Sequence, residues 1–212
     1  MENREILVDL FYLPPIEFFA AIEGADRIVV EREDNYQKQT YRNRAHIRLA
    51  NKVETLSIPV LGGNKKVRYK KVKIDYDQKW KNIHLRGIQS AYGKAPFFEY
   101  FFPYFEEVYR QQIDSLFEFN LKLLTLCLKL LQVKVEVTTT QKYERFPEME
   151  DLRGEIVAKE SYEARDFYRP TTYNQLFGSD FVPNLSVIDL LFCEGPRSRE
   201  LILQSKKRNE QS

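Results

Sequence analysis

The sequence predicts an α/β fold: a mixed sheet that begins with a strand-helix-strand unit, with a helical half packed against it. Three patterns carry this expectation. An apolar run, a proline pair, a helical apolar face and a second apolar run follow one another within the first 30 residues, about the size of a βαβ unit. The middle of the chain, near residues 46 to 76, alternates polar and apolar side chains with the period of two that strands require. From Trp80 to Leu131 the apolar residues recur instead at spacings of three and four, which puts them on one face of a helix.

The elements follow in order. Ile6 to Leu13 is a short apolar run broken only by Asp9 and reads as a buried strand. Pro14-Pro15 ends it, and proline suits the first turn of a helix. Ile16, Phe18, Phe19 and Ile22 form that helix's apolar face, with Gly24 as its stop. Arg27 to Val30 reads as the second strand. His46 to Leu49, Thr55 to Val60 and Val67 to Tyr76 read as further strands, with a turn at Gly62-Gly63-Asn64 and a break or bulge between Tyr69 and Val72. Trp80, Ile83, His84, Gly87, Ile88 and Ala91 share a helix face that Gly93 closes. Pro96 opens an aromatic cluster, and Pro103 within it predicts a kink or two helical pieces. Ile113 to Leu131 predicts a long helix whose only polar stripe is Lys122, Thr125 and Lys129. Val133 to Val137 reads as a strand running into Thr138-Thr139-Thr140. Residues 141 to 166, charged and without apolar period, read as a long loop. Asn184 or Ser186 is placed to cap a last helix carrying Ile188, Leu191 and Phe192. One domain over residues 1–204 and a frayed tail over 205–212 complete the expectation.

Composition narrows the function. The 212 residues carry 33 basic and 31 acidic side chains, a net charge of +2. A dedicated nucleic-acid binder would show a larger, one-sided basic excess. No apolar stretch reaches the roughly 20 residues that span a bilayer, and the N-terminus lacks the pattern of a secretory signal. Cys127 and Cys193 stand apart among apolar residues, so no disulfide framework is expected and a cytoplasmic location is. Two histidines and two separated cysteines do not supply a four-ligand zinc set. Aromatic residues make up 14% of the chain, enough for a thick core or for lining a pocket that accepts a planar or sugar ligand.

The least ordinary stretch is Tyr36 to His46. Lys38, Arg42 and Arg44, the amide of Asn43, two phenols and a histidine stand there with no acid among them. Guanidinium groups grip two oxygens at once, so such a cluster suits a small anionic ligand such as a phosphate or carboxylate. On a strand, Lys38, Arg42 and Arg44 would project from one face together with Thr40, leaving Asn43 opposite. Tyr36 is placed to stack on a ring. The competing reading is an exposed two-signed segment whose arginines pair with the acids just upstream, Glu31, Glu33 and Asp34. His84, one helical turn after Trp80, is the candidate general base; the alternative is a structural histidine. His46 is a lesser candidate for a phosphate contact. Asp9 and Asp26 lie near the ends of the first two strands, and the carboxyl ends of strands form the ligand crevice of open α/β sheets. Cys127 reads as packing, and Cys193 has no adjacent base.

Several segments taken in order carry a resemblance. They are Tyr12-Leu13-Pro14-Pro15-Ile16-Glu17-Phe18-Phe19, Lys38 to Arg44, Leu56-Ser57-Ile58-Pro59-Val60, Trp80 with His84, Ala91-Tyr92-Gly93-Lys94-Ala95-Pro96-Phe97-Phe98, Asn120, and Pro183-Asn184-Leu185-Ser186 leading to Asp189-Leu190-Leu191-Phe192. Together they resemble the WbqC-like family of bacterial proteins over roughly residues 6 to 202. The resemblance implies a role in surface polysaccharide (O-antigen, lipopolysaccharide) precursor synthesis, with decoration of an amino sugar, by a glycyl group for instance, as the suggested step. It brings no agreed catalytic residue set. The chain departs from longer members where they carry Gln-Pro before the Tyr-x-Pro motif; Asp9-Leu10 stand here instead.

Residues and resemblance together give two function classes. One is a cytoplasmic transferase that adds an acyl or aminoacyl group to a nucleotide-linked amino sugar. In it Lys38, Arg42, Asn43, Arg44, Tyr36, Tyr12, Asp9 and Trp80 form the ligand site and His84 handles a proton. The other is a non-catalytic protein that holds a nucleotide or sugar in the same basic cleft. Cofactor and oligomeric state are not readable from the residues.

Overall fold

A computed structural model describes residues 3–62 and 66–207. Strand β1 (Glu5–Val8), helix α1 (Ile16–Ile22) and strand β2 (Arg27–Val30) form the expected opening unit, with β1 and β2 parallel and Ile6 opposite Ile28. All seven residues of α1 are buried, and the helix packs against α6 (Ser198–Ser205). Gly24 follows α1 at φ +83, a conformation that costs glycine nothing. The first strand stops at Val8, earlier than its apolar run, because Leu10 to Leu13 turn away to pack elsewhere in the core.

The sheet has four parallel strands in the order β5-β2-β1-β6, where β5 is Glu136–Thr139 and β6 is Glu150–Asp151. A separate antiparallel pair joins β3 (Arg44–Arg48) to β4 (Val53–Ser57). The helical half consists of α2 (Trp80–Tyr92), α3 (Phe98–Arg110) and α4 (Leu116–Leu130). Ser115 caps α4 by accepting the Glu118 amide at 3.3 Å, and the i, i+3 Ser/Glu pair has the capping-box spacing. Lys122, Thr125 and Lys129 form its exposed stripe, as the sequence predicts.

Several expectations change. Val67 to Tyr76 is not one strand: a 3-10 turn at Tyr69–Lys71 separates two extended pieces that form only isolated bridges. Tyr69, Val72 and Ile74 are still buried, so the alternation survives without a ladder. Pro103 neither breaks nor divides α3. Pro103 and Glu99, whose carbonyl it leaves without an amide donor, are both exposed, so that the missing bond falls on the solvent side of the helix. Strand β5 begins at Glu136, since Gln132 at φ 56 turns the chain after α4. Segment 141–166 is largely irregular, yet it supplies β6 and a 3-10 turn at Tyr162–Ala164. Of the tail, Ser205 closes α6 and Lys206 bridges to Tyr168; 208–212, like part of the Gly62-Gly63-Asn64 turn, lies outside the described residues.

The segments that carry the family resemblance meet in space. Ser186 opens α5 (Val187–Glu194), but its hydroxyl donates to the Leu13 carbonyl at 2.9 Å and does not cap that helix. Asn184 caps α1 instead, accepting the Glu17 amide at 3.0 Å across 167 residues of chain. The Tyr12 amide donates to the Tyr41 carbonyl at 2.8 Å, and Ile58 and Asn43 exchange bonds.

Candidate functional site

In chain order the parallel strands come β1, β2, β5, β6, so the sheet grows from β1 to one side and then returns to the other. The direction reverses between β1 and β6. At such a reversal the connections leaving the strand ends diverge and open a crevice. A cavity of about 260 Å³ lies there. Its walls come from the chain after β1 (Asp9, Phe11), after β2 (Asp34, Gln37, Thr40, Arg42) and around β6 (Tyr143, Arg145, Asp151, Arg153, Gly154).

Three guanidiniums and three carboxylates share these walls. Arg42 is buried and donates through Nη2 to Asp9 at 2.7 Å and Asp34 at 2.8 Å, and through Nη1 to the Asn35 carbonyl at 2.6 Å. Three of its five N–H donors are thus engaged. Burial opposes its charge, but Asp9 and Asp34 outweigh that cost and hold it firmly protonated. The second oxygen of Asp9 accepts the Gly154 amide at 2.8 Å; Gly154 adopts φ +77 to present it. Arg153 grips both oxygens of Asp151, at 2.9 and 2.7 Å, and reaches the fully buried Glu31 at 2.8 Å. Arg145 is exposed, lies against the Phe146 ring, and has no carboxylate partner among the described residues. Asp34 keeps 27% of its side chain exposed and meets Arg42 through one oxygen only.

The other candidates are distributed. Lys38 and Arg42 stand in turns and only Arg44 opens a strand, so the one-faced cationic strand is not formed. Buried acids pull Arg42 inward, and the chain must turn to bring it there. Lys38, Tyr36 and Asn43 line a second cavity of about 600 Å³. Arg44 lines neither cavity. His46 stands on β3 with Thr55 at 3.1 Å, its pKa lowered by burial and then by Arg44. Asp26 lies at the amino end of β2, where it accepts the Arg4 amide at 2.9 Å, the opposite edge from Asp9.

His84, Trp80 and Tyr12 do come together, inside the core. His84 is 3% exposed, and its Nδ1 lies 2.8 Å from the Tyr12 hydroxyl, which also bonds Tyr109. Burial lowers its pKa to about 4, with the Ser57 backbone pulling weakly the other way, so the imidazole is neutral near pH 7. His84 lines neither cavity. The expected convergence of His84 with the cations near Arg42 around one cavity therefore does not occur.

The crevice residues missed as site members in the sequence are Asp34, Arg145, Asp151, Arg153 and Gly154. The last three share one local signal, a turn-forming Asp-Leu-Arg-Gly inside a charged run.

A family profile described as the WbqC-like protein family matches residues 11–165 and 155–201. The chain belongs to the WbqC-like protein family. Every residue named on the crevice wall except Asp9 falls inside the span matched to the WbqC-like family. The Uncharacterized protein Rv1507c of Mycobacterium tuberculosis is 22% identical over 229 residues, covering 94% of this chain and 97% of that protein. No solved structure matches. Among the described residues no helix is long and apolar enough to cross a membrane.

Proposed function

We propose that this WbqC-like protein binds a small ligand bearing charges of both signs, a nucleotide-linked amino sugar, in the crevice between β1 and β6. The reading extends to an enzyme of surface polysaccharide precursor synthesis that transfers an acyl or aminoacyl (glycyl) group to the sugar amine. The observation that carries it is the balanced wall: three arginines and three aspartates gathered from three segments at the carboxyl edge of a parallel sheet. Such a wall matches phosphates with guanidiniums and an ammonium with carboxylates. A uniformly basic cleft would serve a plain polyanion better.

In the transfer, the amine attacks the carbonyl of an activated acyl donor. A C–N bond forms as the bond to the donor's leaving group breaks, and the amine's proton passes to a wall carboxylate. Asp34 is assigned that role, because Asp9 is buried and Asp151 is held through both oxygens by Arg153, whereas Asp34 meets a guanidinium through one oxygen and its other accepts only the neighbouring Asn35 amide at 2.6 Å. His84 is reassigned to hold Tyr12, a positioning role. The non-catalytic reading draws its support from the same burial of His84, which leaves the crevice without a histidine.

The test is a pair of assays with nucleotide-linked amino sugars and activated acyl donors. Asp34→Asn should keep ligand binding and lose turnover. Turnover unaffected by the substitution would remove Asp34 from the reaction. Tight binding with no turnover for any donor would favour the binding protein.

A further inference from the structure

The segment Tyr36 to Asn43 separates two cavities. Gln37, Thr40 and Arg42 face the crevice, whereas Tyr36, Lys38, Gln39 and Asn43 face the second cavity, closed on its far side by Ile58, Pro59 and Val60. Gln39 takes φ 61 at the turn between them, a backbone conformation a non-glycine residue adopts only when its surroundings hold it there. The two chambers therefore share one thin wall and differ in chemistry. The crevice is lined by three charges of each sign. The described lining of the second cavity contains no carboxylate, and Lys38 is its one cation.

Two residues that line this second cavity each carry a buried polar atom without a partner among the described residues. Tyr36 is 7% exposed and its hydroxyl bonds to nothing among the described residues. Asn43 is 9% exposed; its amide nitrogen donates to the Ile58 carbonyl at 3.1 Å, but Oδ1 accepts nothing. Native proteins leave few buried polar atoms unsatisfied, because each loses its bonds to water without gaining another. An acceptor and a donor-acceptor on two residues of one cavity wall are matched by a ligand that both donates and accepts, once a turn of each side chain uncovers the enclosed atom. Exposed amides at Gln39 and Gln78 border the same space, and Pro59 and Val60 give it an apolar side. Hydroxyls above and C–H groups below describe a sugar ring.

We propose that the second cavity is a separate site for an uncharged, polyhydroxylated ring of monosaccharide size, recognised by the Tyr36 hydroxyl and the Asn43 carbonyl. The site stands apart from the crevice and does not depend on what the crevice holds. If both are filled, the Tyr36–Asn43 wall sets the two ligands next to each other, the arrangement a two-substrate transfer needs.

The full chain can be tested by saturation-transfer NMR titrations with two probes, N-acetylglucosamine and uridine diphosphate. The variants are Tyr36→Phe, Gln78→Ala and Arg145→Ala, each with its melting temperature recorded. Tyr36→Phe removes only an unpartnered hydroxyl, so it should fold as well as the parent. It should weaken N-acetylglucosamine by about 3- to 10-fold, the loss of one hydrogen bond, and leave uridine diphosphate unchanged. Gln78→Ala should act in the same direction, and Arg145→Ala in the reverse. No monosaccharide binding by the parent, or equal binding by Tyr36→Phe, overturns the site. Uridine diphosphate binding that ignores Arg145→Ala, with the Tyr36 effect intact, would sink the crevice reading and leave this site standing.

Discussion

Acidification should destabilise the protein through His84 by an amount the structure sets. In the folded chain burial lowers this imidazole from its ordinary 6.5 to about 4, while in the unfolded chain it titrates at the ordinary value. The unfolded state therefore binds more protons between those two values, and stability must rise with pH across that window. The contribution is fully present above about pH 6.5, declines as pH falls, and is gone once pH passes below the folded value. Two and a half pKa steps at about 1.4 kcal/mol each give roughly 3 kcal/mol lost between pH 7 and pH 4. Carboxylates elsewhere also titrate there, so the comparison is with His84→Gln, which keeps an acceptor for Tyr12 but has nothing to protonate. Urea unfolding of both proteins at half-unit pH steps reads the difference. The parent should lose about 3 kcal/mol more than the variant over that range. Parallel curves would refute the reasoning, because they would mean that His84 is protonated as readily folded as unfolded.

The remaining predictions concern the crevice and its supports. Arg42→Ala leaves Asp9 buried without its cation and should cost about 3–5 kcal/mol by chemical denaturation. Adding Asp9→Asn should recover part of that loss, and additive losses would show the pair to be uncoupled. Asn120 donates to the Arg42 carbonyl at 2.7 Å and to the Tyr69 hydroxyl at 2.6 Å, so Asn120→Ala should destabilise by about 1–3 kcal/mol; a change within measurement error would show that the turn at Arg42 does not need that bond. Gly195 sits at φ +55 with the Phe97 ring 2.5 Å from where a Cβ would stand; Gly195→Ala should lower the melting temperature by several degrees, and no shift would mean Phe97 moves freely.

Local pattern reveals some of this molecule and hides the rest for identifiable reasons. The opening strand-helix-strand unit was legible because Pro14-Pro15 and Gly24 punctuate it and its helix is buried throughout. The helix of Trp80 and His84 was legible by period, although Ile83, assigned to the same face, is 64% exposed: that face is narrower than three-and-four spacing suggests. Strand β6 was invisible. Two charged residues, Glu150 and Asp151, have no strand signature; they pair with β1 from 144 residues away, where Arg4 holds Glu150 and Arg153, itself anchored on Glu31, holds Asp151. The cluster near Arg42 was conspicuous as a composition, but its geometry depended on Asp9, whose pairing is a tertiary fact. His84 showed the converse. A histidine beside a tryptophan reads equally as base or as core, and only its burial against Tyr12 separates the two.

Arg145 offers the most direct test, being the one guanidinium of the crevice wall that is exposed and unpaired with a described carboxylate. Isothermal titration of a nucleotide-linked amino sugar into the parent and Arg145→Ala measures what the wall does for a ligand. Binding by the parent that falls about 10-fold or more in the variant, the loss of a charge-assisted bond, with an unchanged melting temperature, is the predicted result. Equal affinities in the two proteins, or no binding by the parent, would contradict a ligand site between β1 and β6.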